Sequence, residues 1–252
     1  MIKREIEYEP ISIELVDYMG GDIRVSNVAK VSFNKWDEED AEINDKQIGL
    51  LNYLATGLPS DERDDWEKRA KASTHWSPYS HCFMTIRCAA PIFLTRQLGK
   101  HQVGLSWNEE SRRYITEDVS LWIPEVVHKK PEKVKQGASK EAHNDLMFCF
   151  NDIDGDVHMT AKEFIEHSAK MSVDTYYRLL AEGVAPEEAR IVLPQNAVVH
   201  WIWSGSLMAF MRVIKQRVDG HAQGAAQEFG HKLASIVEGI FPESVKAFEL
   251  SK

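Results

Sequence analysis

From Ile11 to Phe33, apolar and polar positions alternate around Gly20-Gly21, a pattern that predicts a strand, a turn and a second strand. Between Asp37 and Lys71 the apolar positions move to a helical period in two acidic segments. These are separated by Gly57-Leu58-Pro59-Ser60, with Ser60 or Asp61 as the expected N-cap of the second. Phe83 to Ala90 is a short apolar run of β character, and Pro91 stops it and can open a helix over IFLTRQLGKHQVG. The polar stretch HKKPEKVKQGASKEAHND, His128 to Asp145, has no period and reads as a solvated connection. Helical spacing returns from about Thr160 to Leu180 and closes at Gly183; Pro186, Glu187 and Glu188 open a further helix that Pro194 ends. Asn196 to about Phe241 is helix-periodic almost throughout, broken near Asp219-Gly220, so Trp201 and Trp203 are expected as core residues of an apolar helix. Without an internal repeat or a second core, the expected architecture is α+β: one helix-dominated domain over residues 1–252 with a small antiparallel sheet.

Composition narrows the chemistry. Of the 252 residues, 43% are hydrophobic and 27% charged, enough for an ordinary globular core. The formal net charge of −9 argues against a nonspecific grip on nucleic acid, so any phosphate must meet a local basic cluster. Cys82, Cys88 and Cys149 form no CxxC pair and suit free thiols in a reducing cytoplasm. MIKREIEYEP carries charge where a signal peptide needs its apolar stretch, and no run approaches the ~20 apolar residues of a membrane helix, so a cytoplasmic protein without a membrane partner is expected. Asp152, Asp154, Asp156 and Glu163 are spaced like calcium-loop ligands, but Val157 stands where the sharp turn requires glycine; with no HExxH and no zinc spacing, no metal is expected. The absence of GxGxxG after a strand and of a P-loop rules out a Rossmann-type grip on a dinucleotide.

The densest polar chemistry lies in RQLGKHQVGLSWNEESRRY, Arg96 to Tyr114. Its arginines and lysine can neutralise phosphate, its amides and carboxylates can meet the edges of a base or ribose, and Ser111 beside Arg112 and Arg113 can complete a phosphate cradle. The alternative reading, a polar helix end laced with salt bridges, stays open on composition alone.

The same segment resembles the signature of the flavin-dependent thymidylate synthase family, R-H-R, a seven-residue spacer, then S, with N-E shortly before that S. Here Lys100-His101-Gln102 is followed after eight residues by Ser111, with Asn108-Glu109 in place, so both arginines of the triplet are replaced and the spacer is one residue longer. Three further blocks follow the family's order. HWSPYSH, from His75 to His81, resembles H-x-[ST]-P-x-x-H ahead of an APIF-x-x-RQ helix; PEEARIVLPQN, from Pro186 to Asn196, is similar to E-x-A-R-x-x-L-P. GSLMAFMRVIKQRVDGHAQ resembles S-L-x-x-F followed by L-R-x-x-x-x-A-Q, with Gln216 where leucine is common and Arg217 on the arginine. The resemblance runs from His75 to Gln227.

The resemblance implies a thymidylate synthase-complementing-protein-like fold and a methyltransferase that converts dUMP to dTMP. Methylene-tetrahydrofolate would be the carbon donor and NADPH-reduced FAD the hydride donor, in a homotetramer with shared active sites. Arg217 matches the catalytic arginine that holds the uracil and favours loss of its imide proton, since a guanidinium stabilises a developing anion without itself titrating. Gln97, Lys100, Glu109, Glu110, Ser111, Arg112, Arg113 and Arg190 fall on the dUMP side. His75, Ser77, Lys100, His101, Gln102, Glu109, Ser204, Gly205 and His221 fall on the FAD side. Ser111 is assigned to binding rather than attack, because no aspartate-backed histidine is spaced to activate it. Two other readings stand beside this one: one-carbon transfer to another pyrimidine monophosphate, and a nucleotide-binding regulatory protein without flavin.

Overall fold

The computed structural model of the chain describes residues 6–62, 64–132, 139–152, 155–220 and 224–249. In chain order its elements are β1 (Ser12–Met19), α1 (Asp22–Lys30), α2 (Asp45–Thr56), α3 (Trp66–Lys71), β2 (Phe83–Pro91), α4 (Ile92–Leu98), β3 (Leu105–Glu109) and β4 (Leu146–Asp152). These are followed by β5 (Gly155–Thr160), α5 (Ala161–Ala181), α6 (Pro186–Ala189), β6 (Val198–Ser206), α7 (Leu207–Arg217), α8 (Gly224–Ile240) and α9 (Pro242–Ala247). The α+β, helix-dominated expectation holds. An antiparallel four-stranded sheet runs in the order β1-β2-β6-β3, and β4-β5 form a separate hairpin.

The sheet buries one face. Met84, Ile86 and Cys88 of β2 alternate with open positions, and Trp201 and Trp203 of β6 project to the same side, against Phe210 and Ile214 of α7 and Phe229, Leu233 and Val237 of α8. Phe83, Thr85 and Arg87 point the other way, with Phe83 and Arg87 exposed, opposite Met19 of β1 and Ile202 of β6. β1 is an edge strand, and its register to β2 breaks between Leu15 and Asp17, so Val16 stands as a bulge. A second cluster of Val173 and Tyr176 from α5 with Leu121, Ala189 and Ala197 packs beside the first.

Three expectations need correction. The second half of the N-terminal alternation is not a strand but α1, because Asp22 and Asn27 are buried polar groups with tertiary partners and Ser26 is buried between them, so these positions are not an outward face. The Asn27 amide donates to the Asp37 carbonyl at 2.8 Å and accepts from the Asp37 N–H at 2.9 Å. Asp22 accepts from the N–H groups of Glu243 and Ser244 at 2.8 and 3.0 Å and from the Ser244 hydroxyl, closing the start of α9. Asp22→Ala would strand those buried donors, and denaturant unfolding is expected to show a loss of about 1–3 kcal/mol.

The second correction concerns the stretch after Gly57, where the helix starts at Trp66 rather than after Ser60 or Asp61. Asp65 accepts from the N–H groups of Glu67 and Lys68, each at 3.1 Å. The third and largest is β6. Val198 to Ser206 was expected to be helical, yet the run is the sheet's central strand, since a short apolar run rich in β-branched and aromatic residues reads either way by periodicity. Trp201 and Trp203 are core as expected, at 2% and 0% exposure, but on a strand.

The helix over Thr160 to Leu180 is confirmed as α5, opened by a capping box in which Thr160 and Glu163 exchange hydrogen bonds. The Glu163 carboxylate accepts from the Thr160 N–H and hydroxyl, both at 2.8 Å, so the residue spaced as a last calcium ligand acts as a helix cap; Asp154 lies outside the described residues, as do positions 133–138 of the lysine-rich stretch. Cys82 and Cys88 are buried free thiols, and burial pushes Cys82 up to about 12. No helix among the described residues is long and apolar enough to cross a membrane.

Candidate active site

Pro91 ends β2 and caps α4, whose short course delivers Arg96 and Gln97 to its C-terminal end before the chain turns through Lys100 and His101 into β3. Alternation in β3 sends Leu105, Trp107 and Glu109 to the helix-packed side, where Trp107 stacks on Trp201 with centroids 4.4 Å apart. The ring of Trp203 meets Trp107 edge-on at 5.3 Å. Between α4 and this indole ladder lies a cleft of about 570 Å³ lined by Arg96, His101, Gln102, Glu109, Trp107 and Trp203, a size that suits a nucleotide-scale ligand.

Arg217, the last residue of α7, reaches the same corner. Its Nε donates to His101 Nε2 at 3.1 Å, its Nη2 lies 2.8 Å from the same nitrogen, and Nη2 also donates to the Gln97 carbonyl at 3.4 Å. A guanidinium can only donate, so the His101 ring is neutral with its proton on Nδ1. Burial lowers the His101 pKa, and the Arg217 charge lowers it further, which favours the same state. Burial also draws Arg217 down from its ordinary value, yet a guanidinium stays charged in any protein setting. The position of Arg217 depends on Gly230 of α8: a Cβ there would lie 2.8 Å from Arg217 Cβ and 2.9 Å from its carbonyl carbon.

Glu109 accepts from the Trp107 indole N–H at 3.2 Å. Burial raises its pKa above the ordinary carboxylate value and the Glu110 charge adds to this, against the hydrogen bond from Trp107 and the pull of Arg96. Such a carboxyl keeps its proton to higher pH than an open one does. The indole nitrogens of Trp201 and Trp203 are buried and lack a hydrogen-bond partner. The cations, the amide, the aromatic walls and the orphaned Trp203 donor suit a flavin nucleotide.

Of the remaining expected site residues that are described, only Gln102 lines this cleft. Lys100 is exposed at its mouth, and Gln97 sits on α4 with its carbonyl on Arg217. Gln102 and Leu105 line the first cleft while Val103 and Gly104 line a second of about 280 Å³ with Trp76, Phe83 and Arg212, so one segment serves both. Beside the second cleft, His75 stacks on Tyr53 at 5.6 Å and Ser77 opens a 3-10 turn. Ser204 pairs its hydroxyl with Thr85 at 2.9 Å on the open sheet face, and Gly205 packs under Gly104 and Leu105. Ser111, half-buried, accepts from the Nε of the exposed Arg113 at 3.2 Å, and Arg190, also exposed, donates to the Glu187 carbonyl at 3.3 Å.

Arg112 differs: it is 7% exposed and donates to the carbonyls of Glu117 and Asp118 at 2.6 and 3.2 Å, which makes it a brace of its own loop within the chain. Glu110 binds His200 rather than facing the cleft. His221 lies outside the described residues. Sequence reasoning passed over Trp107 and Trp203 as cleft walls. The alternation Leu105-Ser106-Trp107-Asn108-Glu109 after Gly104 was the signal for β3.

Comparison with known proteins identifies the family. The family described as thymidylate synthase complementing protein matches residues 14–243. The flavin-dependent thymidylate synthase of Thermosipho africanus is 30% identical over 236 residues, covering 94% of this chain and 90% of that protein. That of Thermotoga neapolitana is 30% identical over 241 residues, covering 94% and 89%. The solved structure of the UMP/dUMP methylase PolB from Streptomyces cacaoi bound with 5-Br dUMP superposes with a TM-score of 0.71 at 23% identity, covering 98% of this chain and 97% of that one. A family match over almost the whole chain, with the blocks in order and Arg217 beside a nucleotide-sized cleft, means that this chain belongs to the flavin-dependent thymidylate synthase family.

Proposed function

We propose that the protein methylates dUMP to dTMP, taking the carbon from methylene-tetrahydrofolate and using NADPH as reductant of a bound FAD. The observation that carries this reading is the Arg217–His101 pair at the back of the cleft. A reduced flavin supplies the hydride that completes the methyl group. The chain's own part is electrostatic. Arg217 faces the uracil edge and stabilises negative charge as the imide proton leaves, in a setting where a fixed, desolvated cation acts more strongly than it would in water.

His101, kept neutral, holds the guanidinium fork in one orientation on one side of the base. Lys100, Gln102, His75, Ser77, Ser204, Gly205 and His221 serve the flavin side, with Glu109 facing both ligands. Gln97, Ser111, Arg113 and Arg190 serve the nucleotide, with Ser111 and Arg113 on its phosphate, while Glu110 and Arg112 hold the loop that carries them. In a homotetramer, neighbouring copies would complete each site. The uncovered apolar residues Met19, Phe83 and Ile202 on the open sheet face offer a surface for such packing.

The test is optical. Purified protein incubated with FAD and then freed of unbound flavin is expected to stay yellow, to bleach under anaerobic NADPH, faster with dUMP present, and to form dTMP once methylene-tetrahydrofolate is added. Protein that stays colourless at micromolar concentration but still binds dUMP would overturn the flavoenzyme reading in favour of a nucleotide-binding regulator. Methylation of UMP in preference to dUMP would move the substrate.

A further inference from the structure

We propose that His200, in the middle of β6, is a positioning residue that pins the loop over residues 110–118 through the carboxylates of Glu110 and Glu9, and that it does so only while its ring is protonated. Its Nε2 lies 2.7 Å from Glu9 Oε1 and its Nδ1 3.1 Å from Glu110 Oε2. A neutral imidazole has one donor and one lone pair, so it would turn that lone pair on one of the two carboxylates; only the imidazolium satisfies both.

The two carboxylates tie opposite ends of the loop. The Glu110 N–H donates to the His200 carbonyl at 3.0 Å, and Glu9 accepts from the Ser120 hydroxyl at 2.7 Å through its other oxygen. The second oxygen of Glu110 is buried without a hydrogen bond and faces Arg112 at 3.8 Å, and Arg112 in turn holds the Glu117 and Asp118 carbonyls. Ser111 and Arg113 are carried between these anchors, so their placement follows from a histidine outside the cleft. This rests on the proposed function for the statement that the loop carries the nucleotide phosphate.

The surroundings set the proton's affinity. A small cavity of about 110 Å³ beside the ring is lined by Glu9, Ser12, Glu14, Arg87, Cys88 and Ala89. Glu9, Glu14 and Glu110 contribute negative charge and Arg87 and Arg112 positive charge, while burial holds the Cys88 thiol protonated. The hydrogen bond to Glu110 and then that to Glu9 push the ring up to about 8, against the effect of burial. For a histidine raised in the folded state the added stability is complete below about 6.5 and is lost as pH rises through the folded value.

The test is hydrogen exchange of peptides covering residues 109–118 at about pH 7 and pH 9, scaled to unfolded-peptide rates, alongside the dUMP dissociation constant at both pH values. Over that interval the charged fraction of a ring titrating near 8 falls roughly tenfold. In the wild type, loop protection is expected to drop by up to that factor, and dUMP binding to weaken in step. His200→Gln, which keeps one donor but no charge, is expected to show the low-protection, weak-binding state at both pH values, with α8 peptides as protected as in the wild type.

Wild-type loop protection that does not change with pH, or a glutamine variant that follows the wild type, would overturn the proposal. So would equal loss of protection in α8, which would make His200 a general structural residue. Loop protection that behaves as expected in a protein that binds no dUMP at either pH would sustain the anchor and overturn the nucleotide reading instead.

Discussion

Replacing Arg217 with alanine is expected to lower dTMP formation by about 10²- to 10³-fold, the usual cost of removing one preorganised donor aimed at charge that develops in the transition state. Flavin should stay bound in this variant, because the cleft walls of Trp107, Trp203, Arg96 and Gln102 remain. The loss should appear in kcat as well as in kcat/KM, since the interaction strengthens as the imide proton departs. Arg217→Lys should recover little. The guanidinium uses Nε and Nη2 together on His101 and Nη2 again on the Gln97 carbonyl, a fork that a single ammonium cannot reproduce. Steady-state dTMP formation with the visible flavin spectrum checks both variants. An alanine variant with undiminished kcat would remove Arg217 from the chemistry.

For stability, Gly205→Ala is expected to have the largest effect of a single added methyl. A Cβ at this position would stand 2.4 Å from the Gly104 carbonyl oxygen and 2.5 Å from Leu105 Cδ2. The oxygen belongs to backbone that also accepts from the Ser206 N–H at 3.1 Å, so the clash cannot be relieved by turning a side chain. The chain would have to part β3 from β6, at the upper end of the ~1–3 kcal/mol typical of overpacking, or beyond it. For a chain of this size that is a fall in melting temperature of roughly 6–12 °C, read by thermal unfolding. Because β3 carries Trp107 and Glu109, cleft function should decline together with stability; an unchanged melting temperature would show that the two strands can separate at little cost.

Much of this molecule was legible from local chemistry. Proline and glycine punctuation gave the start of α4, which ends at Leu98 rather than running on to Gly104, as well as α5 and the break after Gly183, and the capping pair Thr160 and Glu163 lies where an N-terminus was expected. The polar cluster from Arg96 to Tyr114 does bring Arg96, His101, Gln102 and Glu109 to one cleft. What was not legible depends on partners distant in the chain. Asp22 reads as a polar member of an alternating strand until Ser244 is beside it, more than two hundred residues later. Val198 to Ser206 reads as helix because a run of branched and aromatic residues fits either period; as a strand it lies between β2 and β3, with Val199, Trp201 and Trp203 on the buried face and His200, Ile202 and Ser204 on the other. Arg112 looks like one more phosphate ligand by composition, and only its burial against Glu117 and Asp118 shows the donors already engaged.

The bulge at Val16 in β1 has a bearing on how copies of this chain can meet. An edge strand offers a row of free amide and carbonyl groups on a regular spacing, and another strand can zip onto it without regard to side chains. After Leu15 that spacing is broken by one residue, so an incoming strand in register before the bulge falls out of register after it. The break therefore disfavours open-ended strand addition, which can otherwise continue indefinitely into fibres.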